Sequence, residues 1–179
     1  MDCKELLPDT SRNTADMATA FLIENPAHIN AFIDLTFSEE GKYPMRASRV
    51  VFLFFEQTPE LSELYLKDIL QRMRHLRDTS ALRNMLNLMK CKLDKLNEEN
   101  LGILVDMCFK LLENGKSQVA HKAYAMEILY KVSRSIPEIK PELAAVIERS
   151  IKHENTACRN TGRKILQKIY REISQGLTS

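Results

Sequence analysis

The sequence predicts an all-α fold, a short right-handed superhelix of about four antiparallel helix pairs closed by a last helix. Three observations support this prediction. Apolar residues recur every three to four positions, prolines separate the periodic stretches, and one helix–corner–helix pattern returns along the chain. No stretch sustains the apolar–polar alternation of a strand, and 5 glycines and 6 prolines leave little material for hairpins, so almost no sheet is expected.

The clearest helix pair runs from Val119 to Ile151. Pro137 and Pro141 mark its corner, because proline donates no N–H and its ring clashes with a preceding helical turn. Apolar residues follow helical spacing on both sides of this corner: Ala125, Ile128, Leu129, Val132 and Ile136 before it, and Ile139, Leu143, Val146, Ile147 and Ile151 after it. Neither helix can bury such a stripe alone, so we expect neighbouring pairs to stack.

The pattern recurs when the sequence is compared with itself. At a shift of about 78 residues, the segment Pro59-Glu60-Leu61 falls on Pro137-Glu138-Ile139, and the apolar residues before the two corners also coincide. Half of that shift, about 39 residues, brings further apolar residues into register. Periods near 40 residues with two helices each are typical of HEAT and armadillo arrays.

Over nearly its whole length, from about Asn13 to Ile173, the chain resembles small bacterial HEAT-like or armadillo-type helical-repeat proteins. The two Pro-Glu corners and the helices around them support the resemblance. The regular Asp and basic residue of the HEAT consensus do not stand out, which leaves the choice between HEAT and armadillo open. The resemblance implies a stack of helix pairs that binds a partner on one face.

The order of elements follows from these stripes and corners. Residues 1–12 are expected to be a flexible lead-in, and residues 13–175 a single helical-repeat domain. The predicted pairs and the last helix span residues 13–38, 44–77, 79–114, 117–152 and 156–174.

Two cap signals support the predicted starts of second helices. Asn25-Pro26 and Thr58-Pro59 each place a cap residue before a first-turn proline. In the helix after Thr58, the predicted buried stripe consists of Leu61, Leu64, Tyr65, Ile69, Met73 and Leu76.

Composition indicates a folded chain, with 44% apolar and 28% charged residues among 179. The start has no long apolar run, and the four cysteines have no paired spacing, so we expect reduced thiols and the cytoplasm. Charge is uneven along the chain. Residues 1–69 hold 6 basic and 12 acidic side chains, and residues 70–179 hold 20 and 12.

Signals for catalysis, cofactors and metals are weak. Gly115-Lys116-Ser117 matches the end of a phosphate-binding loop, but Lys110 stands where the first glycine is required, so we expect a turn with Ser117 as a cap. The four histidines are not in metal-ligand spacing: His28, His75, His121 and His153. The sequence therefore predicts no enzyme, no cofactor and no metal.

Two binding hypotheses remain. The first is a scaffold that binds a protein or peptide in a groove formed by the second helices of the pairs. Its candidate groove residues are Glu63, Lys67, Gln71, Arg74, Asp106, Lys110, Glu142, Arg149 and Lys152. Their mixed charges favour a polypeptide over nucleic acid.

The alternative is DNA, RNA or another polyanion bound through the basic C-terminal half. Its candidate residues recur at helical spacing on the last helix: Arg159, Arg163, Lys164, Lys168 and Arg171. The alkylpurine DNA glycosylases, which resemble this chain in being built from HEAT-like repeats, use tryptophan near the damaged base. The present sequence has no tryptophan, so the resemblance extends to binding and not to their catalysis.

Overall fold

The computed structural model describes residues 2–152 and 155–176 and consists of helices joined by short turns. Within those residues the chain forms nine α-helices and no strand, which confirms the predicted all-α class. The helices are α1 Arg12–Glu24, α2 Ile29–Thr36, α3 Tyr43–Gln57, α4 Pro59–Met73, α5 Thr79–Cys91, α6 Glu98–Glu113, α7 Val119–Val132, α8 Lys140–Ile151 and α9 Thr156–Gly176.

Polar caps and prolines define the helix starts. The side chains of Ser11, Asp78 and Asn97 accept hydrogen bonds from main-chain N–H groups in the first turns of α1, α5 and α6. Pro59 begins α4, whereas Pro26 and Pro137 begin 3-10 turns that lead into α2 and α8 one turn later. A fixed proline φ suits either kind of turn, which is why the sequence alone does not distinguish them.

The chain divides into two compact units, Met1–Leu96 and Asn97–Ser179, where the sequence predicted a single domain. In the first unit, α3 contacts α1, α2, α4 and α5. Five of its apolar residues are fully buried: Ala47, Val50, Val51, Phe54 and Phe55. A helix that touches four others must be apolar on most of its surface, and α3 meets this requirement.

Residues 2–11 differ from the flexible lead-in expected from the sequence. Leu7 is 1% exposed and Cys3 is 7% exposed, so this segment contributes to the core of the first unit. Arg46 of α3 donates from Nη1 to the main-chain oxygens of Leu7 and Pro8, both at 2.7 Å. The sequence did not predict this, because the segment has few apolar residues and its carbonyl groups, which every residue carries, make the hydrogen bonds to Arg46.

The buried face of α4 also differs from the predicted stripe. Leu64 is 76% exposed, whereas Leu66 and Leu70 are 2% and 0% exposed. Successive residues of an α-helix are rotated by about 100° around its axis. Including Leu64 in the predicted apolar stripe therefore rotates the predicted buried face away from the face that packs on α3 and α5. Leu64 therefore points into solvent.

In the second unit, α7 contacts α6, α8 and α9. Ala125, Met126, Ile128 and Leu129 of α7 are fully buried. Helices α8 and α9 approach closely at Gly162, where an added Cβ would lie 2.5 Å from Cγ2 of Ile151. The helix–corner–helix pair predicted from the sequence, α7 and α8, thus forms the centre of the second unit.

Candidate interaction surfaces

Four predicted groove residues share one exposed face of α4. Glu63, Lys67, Gln71 and Arg74 are exposed, and their spacing keeps them close to one line along the helix. Leu64 lies beside Glu63 on the same side. Within the described residues none of the three charged members forms an ion pair, so their charges are available to a partner. We call these five residues the α4 face.

Other cations near the end of α4 are neutralised inside the first unit. Arg72 donates from Nη1 to Oδ1 of Asp34 at 2.9 Å and to Oδ2 of Asp68 at 3.3 Å. Its guanidinium also lies 4.5 Å from the ring centre of Phe37. Arg77 pairs with Glu39 at 3.0 Å. Arg72 therefore links α4 to α2, and both arginines already have acidic partners.

The groove residues of the second unit are exposed but partly self-neutralised. Lys110 and Asp106 of α6 pair at 2.7 Å, and Arg149 of α8 lies 3.8 Å from Glu113. Glu142 and Lys152 are exposed at the two ends of α8. Surface pairs of this kind exchange partners at little energetic cost.

The predicted polyanion residues lie on α9. Arg163, Lys164, Lys168 and Arg171 are exposed, and Arg159 is half-buried. The sequence of α9 contains a single acidic residue, Glu172, which faces inward. The four exposed cations therefore form a basic face, which we call the α9 face, and Glu172, one turn after Lys168, is the one acidic residue on the same helix.

Two contacts hold Glu172 away from the α9 face. Lys140 pairs with its Oε2 at 2.8 Å, and the hydroxyl of Tyr130 donates to its Oε1 at 2.7 Å. The Lys140 contact, followed by the Tyr130 hydrogen bond, lowers the pKa of Glu172. The same hydrogen bond raises the pKa of Tyr130 because it stabilises the protonated phenol. These contacts connect α9 to α7 through Tyr130 and to α8 through Lys140.

A hollow between α8 and α9 brings together residues that the sequence assigned to different sites. Lys152, a predicted groove residue, lines it with Arg159 and Arg163 of the predicted polyanion set. The hollow has a volume of about 540 Å³, and Glu148 on its wall accepts a hydrogen bond from the Tyr170 hydroxyl. One partner could contact both predicted sets here.

Sequence analysis missed a second hollow, in the first unit, which we call the N-terminal hollow. It has a volume of about 420 Å³ and lies among residues 7–11, α1, α3 and α5. Its lining includes Arg46, Arg49, Phe52, Leu53, Arg83 and Asn87. A sequence signal exists, since Arg46 and Arg49 stand three positions apart on a helix that is otherwise rich in apolar residues.

The glycine–lysine–serine segment before α7 forms a turn. The side chain of Asn114 accepts from the N–H of Lys116 at 3.0 Å, and its main-chain oxygen accepts from the N–H of Ser117 at 3.0 Å. The cap position of α7 is Gln118, so the assignment of Ser117 as the cap was wrong.

No cluster of three or more His, Cys, Asp or Glu suited to a metal ion occurs among residues 2–152 and 155–176. His153 lies outside the described residues. In the same part of the chain, none of the helices combines the length and apolar character needed to cross a membrane.

Comparison with known proteins gives one match. Searches of curated proteins and of solved structures found none. A family model described as HEAT repeat domain matches residues 3–169, which is most of the chain. The match includes the helix pairs of both units and the segment that precedes α1. Families of this type are generally helical scaffolds without catalytic activity, and many mediate protein interactions. The chain belongs to the HEAT repeat domain family.

Proposed function

We propose that this chain is a non-enzymatic interaction scaffold that binds a polypeptide on the α4 face. The exposure of Leu64 supports the proposal most directly, because a leucine that is 76% exposed leaves most of its apolar surface in water. Covering such a side chain contributes about 1.5 kcal/mol or more, which corresponds to roughly a tenfold gain in affinity.

The charges around Leu64 favour a polypeptide over a polyanion. Glu63 would repel phosphates, whereas Lys67 and Arg74 can pair with acidic side chains, and Gln71 can bond to main-chain groups. Apolar centres with polar rims are typical of protein interfaces. The groove residues of the second unit are further candidate contacts for a polypeptide: Asp106, Lys110, Glu142, Arg149 and Lys152.

Site-specific photocrosslinking tests this proposal. A photoreactive amino acid at position 64 should crosslink a polypeptide that the same group at exposed Asn30 of α2 does not. The polypeptide, once identified and purified, should bind the unmodified chain and lose at least tenfold in affinity with Leu64→Asp or Lys67→Glu. Equal crosslinking at both positions, or unchanged affinity of both variants, would contradict the proposal.

A second candidate function is polyanion binding through the α9 face, supported by its four exposed cations on a helix whose single acidic residue, Glu172, is paired with Lys140. If all four neutralise phosphates of a duplex, the logarithm of the binding constant should fall with the logarithm of salt concentration with a slope of about −3.6. Affinity should then weaken about 150-fold between 50 and 200 mM salt.

Fluorescence anisotropy with labelled duplex and single-stranded DNA and RNA measures this dependence. The variant Arg163→Glu/Lys164→Glu/Lys168→Glu should lose binding at both salt concentrations. A control with the same sign of charge change, Lys67→Glu/Arg74→Glu on α4, should keep most of it. An equal loss in both variants would indicate an effect of net charge alone, and no binding at 50 mM salt would exclude this function.

A further inference from the structure

The N-terminal hollow combines an apolar floor with several charged groups. Phe52 and Leu53 of α3 are half-buried and line it, and so do Arg83 and Asn87 of α5. Its volume of about 420 Å³ is within the range of sites that enclose a small ligand or a few side chains.

Two of the three carboxylates that line the hollow are already engaged. Asp9 accepts from the Thr14 hydroxyl at 2.7 Å and from the N–H of Ser11 at 2.8 Å. Asp16 pairs with Arg12 at 3.3 Å on the same helix. Glu56 is exposed at the end of α3. Local contacts therefore hold Asp9 and Asp16 on the walls of the hollow, where all three carboxylates keep their negative charge.

The arginines of the hollow are engaged to different degrees. Arg46 binds the oxygens of Leu7 and Pro8, and its Nε is buried without a hydrogen-bond partner. Arg49 makes one contact, at 3.3 Å, with the main-chain oxygen of Thr10. Arg83 is exposed and forms no ion pair within the part of the chain that the structure describes. Positive charge thus remains beside the apolar floor.

We propose that the N-terminal hollow binds a polypeptide segment in which an acidic side chain stands beside a large apolar one. The apolar side chain would cover Phe52 and Leu53, and the carboxylate would pair with Arg83 and Arg49 in the planar geometry that guanidinium groups favour. The segment formed by residues 7–11 already presents its carbonyls to Arg46 and Arg49, so α3 holds irregular main chain in this position.

Charge complementarity selects this class of partner. A polyphosphate would meet Asp9, Asp16 and Glu56 on the walls, and their repulsion disfavours it. A peptide with isolated carboxylates separated by apolar residues places one charge at the arginines without crowding the acidic walls. The site is distinct from the α4 face, since the residues that line it lie before α1 and on α1, α3 and α5.

The probe is a fluorescein-labelled octapeptide of alternating leucine and glutamate with blocked ends. We expect saturable binding that weakens at least tenfold with Arg83→Glu and with Phe52→Ala, and amide shifts in NMR spectra confined to residues of the hollow. A peptide with lysine in place of glutamate should bind at least tenfold more weakly. Arg83→Glu is preferred because an exposed side chain without a described ion pair is least disruptive to folding.

Two control variants separate this proposal from the others. Leu64→Asp alters the α4 face and should leave octapeptide binding unchanged. The two proposed polypeptide sites can therefore be confirmed or rejected independently of each other. Lys164→Glu/Lys168→Glu should also leave octapeptide binding unchanged. Loss of binding only in this α9 variant, equal binding of the lysine peptide, or no saturable binding at millimolar concentration would overturn the proposal.

Discussion

At the scale of single residues, close contact between helices depends on Gly162 of α9. A Cβ at this position would lie 2.5 Å from Cγ2 of Ile151 and 3.1 Å from Cγ2 of Ile147. Both atoms are branched methyl groups near the α8 backbone, so they cannot move away by rotating a long side chain. Gly102 of α6 provides a natural comparison, since a Cβ there meets nothing within 4 Å.

Gly162→Ala is expected to destabilise the chain despite the better helix propensity of alanine. The overlap should cost about 1–3 kcal/mol, more than the gain of up to about 1 kcal/mol from propensity. Gly102→Ala should gain about 0.5–1 kcal/mol, because it removes backbone freedom without a clash. Urea unfolding of both variants measures the difference, and equal effects would contradict the close approach of α8 and α9.

Asp9 provides a test that depends on pH. Hydrogen bonds from Thr14 and Ser11 lower its pKa to about 2. A carboxyl whose pKa is lower in the folded chain stabilises it above the unfolded value of about 3.9, and this contribution is lost as the pH falls through about 2. Asp9→Asn should therefore be less stable than wild type at pH 6, with a difference that shrinks between pH 4 and 2. A difference that is constant with pH would contradict this assignment.

At the scale of elements, α7 and α3 occupy the same role in their units, since each contacts most of the other helices. The sequence predicted the burial of Ala125, Ile128, Leu129 and Val132 correctly, but Ile136, the last residue of that predicted stripe, lies beyond α7 and is 37% exposed. It misplaced the stripe of α4, because Leu64 and Leu66 both fit a helical period. Only the positions of α3 and α5 determine which of the two is buried.

Substituting aspartate at a buried and at an exposed leucine tests these assignments. Leu129→Asp places a charge between helices where the leucine is 0% exposed, and it should destabilise the chain by several kcal/mol. Leu64→Asp, where the leucine is 76% exposed, should change stability by about 0.5 kcal/mol or less. Thermal melts of the two variants that shift by similar amounts would refute the burial assigned to both helices.

The candidate surfaces were only partly predictable from sequence. Helical spacing grouped the predicted polyanion residues on the last helix. Four of them, Arg163, Lys164, Lys168 and Arg171, are exposed, whereas Arg159 is half-buried. Spacing could not reveal that Lys152 shares a hollow with Arg159 and Arg163, or that residues 7–11 contact α3. Both depend on contacts between elements that are separate in sequence.

At the scale of the whole molecule, the fold protects most of its thiols. Cys3, Cys108 and Cys158 are buried and Cys91 is exposed at the end of α5. Burial raises the pKa of the Cys3 and Cys108 thiols, which lowers the fraction of reactive thiolate. The compact units thus leave one cysteine open to reagents.

Titration with a thiol reagent measures this protection directly. The native chain should react rapidly at one thiol and slowly at three, and all four should react in denaturant. Cys91→Ser should abolish the rapid phase and leave the slow one. Rapid reaction at two or more thiols of the native chain would contradict the packing of residues 2–11 or of α6 and α9.

The hydrogen bonds from α3 to residues 7–11 determine which amino acids these positions can accept. Arg46 and Arg49 donate to carbonyl oxygens, which every amino acid supplies, so the side chains at Pro8 and Thr10 can be exchanged without loss of these bonds. Leu7 and Arg46 have no such freedom, because one fills the core and the other donates the bonds. In a saturation mutagenesis library, most substitutions should therefore be tolerated at Pro8 and Thr10, whereas few should be tolerated at Leu7.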